Sequence, residues 1–89
     1  MYYVYVLKSR KDGRFYVGCT ANLRRRLAEH NDGKVRSTCY RVPFDLVYYE
    51  AYRSEADARH RESNLKLRSK AFAQLQKRLR GSLTFGVGL

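Results

Sequence analysis

The 89-residue sequence predicts an α+β domain, a small antiparallel or mixed sheet with helices packed on it, in the order β-β-α-β-α-α. Three observations carry this expectation. Residues 2–8, 14–19 and 44–52 are short runs rich in Tyr, Val and Phe, the composition of strands. Leu23/Leu27 and Phe72/Leu75/Leu79 recur at helical spacing. Asp12-Gly13, between the first two runs, is a hairpin turn signal.

Taken in order, the elements follow from local chemistry. With a two-residue turn, Lys11 faces Arg14, and Tyr3, Tyr5 and Leu7 share a sheet face with Tyr16, Gly18 and Thr20. That register sets Gly18 opposite Leu7 and leaves the face open there for a close approach. Thr20 or Asn22 caps the next helix, which ends at Asn31-Asp32-Gly33. Arg26 and His30, four residues apart, project from one side of it. Residues 34–43 are basic and aperiodic, a loop closed by Pro43. After the third strand, Ser54 caps a helix with Asp57 at the reciprocal capping position. On that helix Ala58, Glu62, Leu65 and Ser69 share a narrow angular range, so Glu62 sits on a partly apolar face. A carboxylate there needs an arginine or a metal as partner. A last helix over roughly 70–80 stops at Gly81. Residues 1–80 thus read as one domain and 81–89 as a loose tail.

Composition restricts the function. The chain carries 19 Lys+Arg against 8 Asp+Glu, a net charge of +11, which favours an anionic partner, nucleic acid first. At 44% hydrophobic and 13% aromatic it is not a disordered polycation. No apolar run approaches the ~20 residues of a membrane span, so no membrane role is expected. The N-terminal stretch lacks a signal peptide's basic region and cleavage site. Cys19 and Cys39 are too few for a disulfide scaffold and fit a reducing cytoplasm. Their spacing to other Cys and His residues suits no zinc site.

Tyr3-Val4-Tyr5 followed by Tyr16-Val17-Gly18 resembles the paired tripeptides of the GIY-YIG nuclease superfamily. The helix Asn22–His30 and the late glutamate Glu62 fall in the family's order, and the likeness to its small single-domain members covers about residues 2–80. Tyr3 departs from the glycine that usually opens the first motif. The resemblance implies a three-stranded antiparallel sheet flanked by helices, and divalent-metal-dependent endonuclease cleavage of DNA, with a place in DNA repair or recombination. It implies a site of Tyr5, Tyr16, Arg26, His30 and Glu62, with Glu62 as metal ligand.

Phosphodiester hydrolysis needs an activated water, charge neutralisation on the phosphate and help for the departing oxygen. Glu62 suits one Mg²⁺ (or Mn²⁺), which keeps most of its waters and takes one or two carboxylates. Arg26 can meet the phosphate through its guanidinium fork. Tyr5 is assigned to accept the water's proton, the choice between Tyr5 and Tyr16 staying open. A phenol near pKa 10 needs about 4 kcal/mol of preferential phenolate stabilisation to reach ~7. His30 and Tyr16 complete the cluster by orienting water and phosphate. Arg24, Arg25, Lys34, Arg36, Ser37, Thr38, Tyr40 and Arg41 supply a rim for DNA backbone contacts without base readout. A partner protein for targeting fits so small a module. The contrasting class is an inactive nucleic-acid-binding module on the same fold. Plainer roles exist for each residue, Glu62 pairing with Arg59 or Lys66 on its own helix among them.

Overall fold

A computed structural model describes residues 1–66 and 69–82. Three strands and three helices follow in the expected order: β1 (Tyr2–Ser9), β2 (Phe15–Thr20), α1 (Leu23–Asn31), β3 (Phe44–Tyr52), α2 (Glu55–Asn64) and α3 (Lys70–Arg78). The sheet is antiparallel throughout, ordered β2-β1-β3. The central strand is buried on both sides, with Val4, Tyr5, Val6 and Leu7 each at most 2% exposed. Alternation then divides the core. Val4, Val6 and Val17 pack with Ala58, Leu65, Phe72 and Leu75 from α2 and α3. Tyr5, Leu7 and Phe44 pack with Leu23 and Leu27 of α1 on the opposite face.

The hairpin corrects the expected register. Its loop has four residues, not two: Ser9 N–H bonds to Arg14 O, and Gly13 N–H to Ser9 O. Ser9 Oγ accepts from the N–H groups of Lys11 and Asp12, which stabilises the longer loop. Gly13 takes φ +71°, the left-handed region that glycine enters at no steric cost. The pairing therefore shifts by two residues, and Gly18 faces Tyr5 while Leu7 faces Tyr16. Side-chain parity survives because the shift is even.

The first two helices are capped as their sequences suggest, and the third by a serine expected on the preceding helix. Asn22, Ser54 and Ser69 accept from the N–H groups of Arg25, Asp57 and Phe72. Ser69 is therefore not on the helix of Glu62, contrary to expectation: α2 ends at Asn64, with Leu65 as its C-cap turned into the core. Likewise α3 ends at Arg78, short of Gly81. Of the expected tail, residues 83–89 lie outside the described residues. No helix among the described residues is long and apolar enough to cross a membrane.

Candidate active site

The site forms at edge strand β2, where α1 covers one sheet face and α2 the other. Leu23 and Leu27 dock α1 on the sheet, and this rotation turns His30 inward and Arg26 along the β2 side. The end of α1 is fixed by the Asn31 side chain, which accepts from Phe44 N–H at 2.7 Å and donates to Phe44 O at 3.2 Å. His30 is fully buried, with its ring 5.0 Å from that of Tyr16 and 5.7 Å from that of Tyr5.

Three side chains then form a chain of polar contacts. Tyr5 Oη lies 2.9 Å from His30 Nε2, and His30 Nδ1 lies 2.8 Å from Thr38 Oγ1. The Thr38 hydroxyl also lies 3.5 Å from Val35 O; donating there, it meets His30 as an acceptor from Nδ1–H, one of the two tautomers the geometry allows. Nε2 is then the acceptor for the Tyr5 hydroxyl. Burial, with Arg26 nearby, pushes the His30 pKa down to about 4, so the ring is neutral at pH 7. Burial pushes Tyr5 up to about 12, although hydrogen bonding and charge from Arg26 act in the opposite direction. The expected lowering of the Tyr5 pKa is thus absent from the free site: burial outweighs the arginine.

Gly18 permits this arrangement. A Cβ at that position would collide with Cζ and Oη of Tyr5, so the phenol lies directly across the glycine. Tyr5 is 2% exposed, whereas Tyr16, on the edge strand, is half-buried. Arg26 is anchored by Glu29 at 3.1 Å, and Glu29 also takes Arg25 at 3.4 Å.

Glu62 approaches from α2, across β2. Its carboxylate is 19% exposed and meets Lys66 at 3.2 Å and Arg59 at 3.9 Å. Lys66 also donates to Val17 O on the edge strand. Glu62 is close enough to Tyr5 for its charge to oppose phenolate formation. Beside this edge runs a groove of about 460 Å³, lined by Cys19, Thr20, Arg25, Arg26, Glu29 and Arg59. Arg26 lines it directly; Tyr5 and His30 lie buried behind it, and Glu62 meets it through Arg59. The five side chains therefore gather around one edge without all facing one surface. Cys19 contributes a thiol that burial holds above its ordinary pKa.

The expected binding rim divides in two. Arg24, Arg25, Lys34, Arg36, Ser37 and Tyr40 are exposed, Tyr40 at 81%. Thr38 is fully buried and bonded to His30, so it orients the histidine and does not face solvent. Its hydrophobic neighbour Val35, also buried, draws this part of the loop inward. Arg41 is held at 2.8 Å by Asp12 and stands over the Phe44 ring. Sequence reasoning thus missed the orienting role of Thr38, and with it the anchoring by Glu29. Glu29 was visible as an i+3 and i+4 partner of Arg26 and Arg25; Thr38 lies too far along an aperiodic loop to be paired with His30.

Comparison with known proteins bears on the family and the fold. A family model described as the GIY-YIG catalytic domain matches residues 1–78. A UPF0213 protein of Streptococcus pneumoniae is 45% identical over 65 residues, spanning 72% of this chain and 65% of that relative. This chain thus covers a little under two thirds of that relative's length. A UPF0213 protein of Staphylococcus haemolyticus is 42% identical over 73% of this chain and 79% of its own length. The solution NMR structure of a UPF0213 protein from Bacillus halodurans superposes with a TM-score of 0.56 at 32% identity, covering 99% of this chain and 98% of that one. By both sequence and fold, this chain belongs to the GIY-YIG catalytic domain family.

Proposed function

We propose that this protein is a divalent-metal-dependent DNA endonuclease that hydrolyses phosphodiester bonds, weakly sequence-specific or directed by the structure of its substrate. The observation that carries the reading is the gathering of Tyr5, Tyr16 and His30 beside Arg26, which lines a basic groove, with Glu62 across the same edge strand. Such a set supplies phosphate neutralisation, a proton path and a carboxylate within one small region. A cutter of branched or single-stranded DNA fits a place in DNA repair or recombination.

The donor chemistry fits a hard cation. Among the described residues no three His, Cys, Asp or Glu side chains form a metal cage. A single carboxylate such as Glu62 suits one Mg²⁺ or Mn²⁺, whose other ligands are water and phosphate oxygens. When bound, the ion supplies Lewis-acid polarisation of the phosphate and charge stabilisation at the departing oxygen. The protein's own residues do the rest. Arg26 holds a phosphate oxygen in the groove and keeps Tyr5 oriented. Tyr16, the more exposed phenol, meets the attacking water. Tyr5 spans Arg26 and His30 and takes the water's proton as its own hydroxyl proton passes to His30 Nε2. That transfer needs the negative charge of the bound phosphate to lift the His30 pKa from about 4. Thr38, as acceptor from Nδ1–H, holds the histidine tautomer this requires.

One observation favours a second reading. Lys66 and Arg59 both hold Glu62 in the free protein, as in a binding module that has no use for a metal. Plasmid, single-stranded and branched DNA incubated with Mg²⁺, Mn²⁺ or EDTA separate the two. The nuclease reading expects cleavage that stops in EDTA and in Glu62→Ala. Cleavage persisting in either condition sinks the mechanism; tight, salt-sensitive binding with no cleavage establishes the binding module.

A further inference from the structure

A second groove, of about 450 Å³, opens between α1 and β3 on the sheet face that α1 covers. Tyr3 and Tyr49 form its aromatic floor, Leu23, Leu27 and Leu46 its sides, and Arg24 its basic wall. Its composition depends on an irregularity in β3. Val6 pairs with Tyr48 and Leu7 with Leu46, so Val47 is an extra residue in the strand. The bulge reverses side-chain parity. Leu46 and Tyr49, three residues apart, consequently share the face of Leu7 and Tyr5. Tyr49 is 53% exposed, and its ring meets Tyr3 edge-on at 6.0 Å and 63°. An edge-on pair leaves aromatic surface uncovered.

We infer that this groove is a nucleobase subsite, in which an unpaired base of single-stranded DNA stacks on Tyr49 and Tyr3. The inference rests on the nuclease reading and adds to it how the strand beside the cut is held. Charge selects the occupant. The groove lining contains Arg24 and no Asp or Glu, on a chain of net charge +11. A second copy of this chain would bring the same charge to a wall without a carboxylate to answer it. A polyanion is favoured there. Aromatic faces beside a basic wall suit a nucleic acid with unstacked bases, and a duplex conceals its base faces from such a floor. The position is also apt. Ala21 and Asn22, at the start of α1, line both this groove and the one containing Arg26 and Arg59. A strand with a phosphate at Arg26 can therefore pass over the start of α1 and place a neighbouring base against Tyr49.

The test is binding in EDTA, where no cutting occurs, of an oligothymidylate and of a blunt duplex of equal length. Tyr49→Ala is expected to weaken single-strand binding about tenfold, from the ~1–3 kcal/mol of a base–aromatic stack. Its effect on duplex binding is expected to stay below about twofold, and Tyr49→Phe to bind like the native protein. The chain has no tryptophan, so Tyr49→Trp supplies a single reporter whose emission the single strand should quench on binding. The high exposure of Tyr49 makes these replacements compatible with folding, which a thermal melt verifies. Equal losses on single strand and duplex would overturn the inference, as would unchanged single-strand binding by Tyr49→Ala or a dimer that this substitution dissociates. DNA binding indifferent to Tyr49 removes the subsite alone; no DNA binding by the native protein removes the nuclease reading with it.

Discussion

The two edges of the sheet are built from the same kinds of side chain and differ in how those side chains are satisfied. At β3, Glu50 accepts hydrogen bonds from Tyr48 and Tyr52, each at 2.5 Å, and from Nε and Nη2 of Arg61, each at 2.9 Å. Burial alone would raise its pKa, yet these donors hold it down to about 2. Two tyrosines, one arginine and one carboxylate there form a closed unit that fastens α2 to the sheet. At β2 the edge strand separates Glu62 from Arg26 and the tyrosines. The arginine faces a groove, and the carboxylate is held by cations on its own helical segment. A polar cluster that satisfies itself stabilises a fold; one left divided retains capacity for a ligand.

Exchanging the roles of the two carboxylates would break this comparison most directly. Glu62→Ala is expected to reduce Mg²⁺-dependent cleavage about a thousandfold, some 4 kcal/mol of barrier. Its urea midpoint should move little, because the lost ion pairs are exposed on the cation side and worth about 0.5 kcal/mol. Glu50→Gln should do the reverse. It leaves the Arg61 charge without a counter-charge and weakens the fold by about 2–3 kcal/mol. Cleavage per folded molecule should then remain near native. A variant that loses both properties together would show that the edges are not separable.

Acid should also resolve the edges, in different pH windows. The unfolded chain protonates His30 near its ordinary 6.5, while the folded chain resists until about 4. Between these values the unfolded state binds more protons, so stability is full above pH 6.5 and declines as pH falls to 4. The Glu50 carboxyl stays ionised in the fold to about 2, against an ordinary 4.5. Its contribution is present above pH 4.5 and lost as pH falls toward 2. Each window approaches a slope of ~1.4 kcal/mol per pH unit at its steepest. Urea midpoints from pH 7 to 3 should flatten in the upper window for His30→Gln and in the lower one for Glu50→Gln. A native slope persisting in His30→Gln would mean that His30 is not held neutral.

What could be read from the sequence follows the range of the interactions. Strand and helix positions and two caps were legible because Asn22 and Ser54 act on N–H groups three residues away, whereas Ser69, read as part of the preceding helix, caps the last one. Helical spacing placed Arg26 and His30 on one side of α1 for the same reason. The partners of those side chains were not legible. Thr38 reaches His30 from an aperiodic loop, and the Val47 bulge that exposes Tyr49 in the α1-side groove has no signature in the strand's composition. Electrostatics failed where geometry decides the sign. Tyr5 carries an arginine beside it, but its burial across Gly18 dominates. The hairpin register was lost to the Ser9 hydroxyl, whose bonds favour a four-residue loop over the Asp-Gly turn alone.

That register places a further, smaller test at Gly18. With Gly18 opposite Leu7, an added methyl would meet an aliphatic side chain able to change rotamer. Opposite Tyr5 it meets Cζ and Oη of a ring whose hydroxyl is held at His30. The phenol cannot withdraw without losing that bond, so Gly18→Ala should cost about 1–3 kcal/mol as an overpacked core does. Gly13→Ala is the matching control. No atom lies near a Cβ there, and the cost is only the strain of φ +71°, about 1 kcal/mol. Both variants should lower the urea midpoint, but only Gly18→Ala displaces Tyr5. At a temperature where both remain folded, Gly18→Ala should lose cleavage by at least about tenfold while Gly13→Ala retains it. Equal activity in the two would mean that the position of the Tyr5 phenol does not matter to the reaction, and the β2 edge would then be as purely structural as the β3 edge.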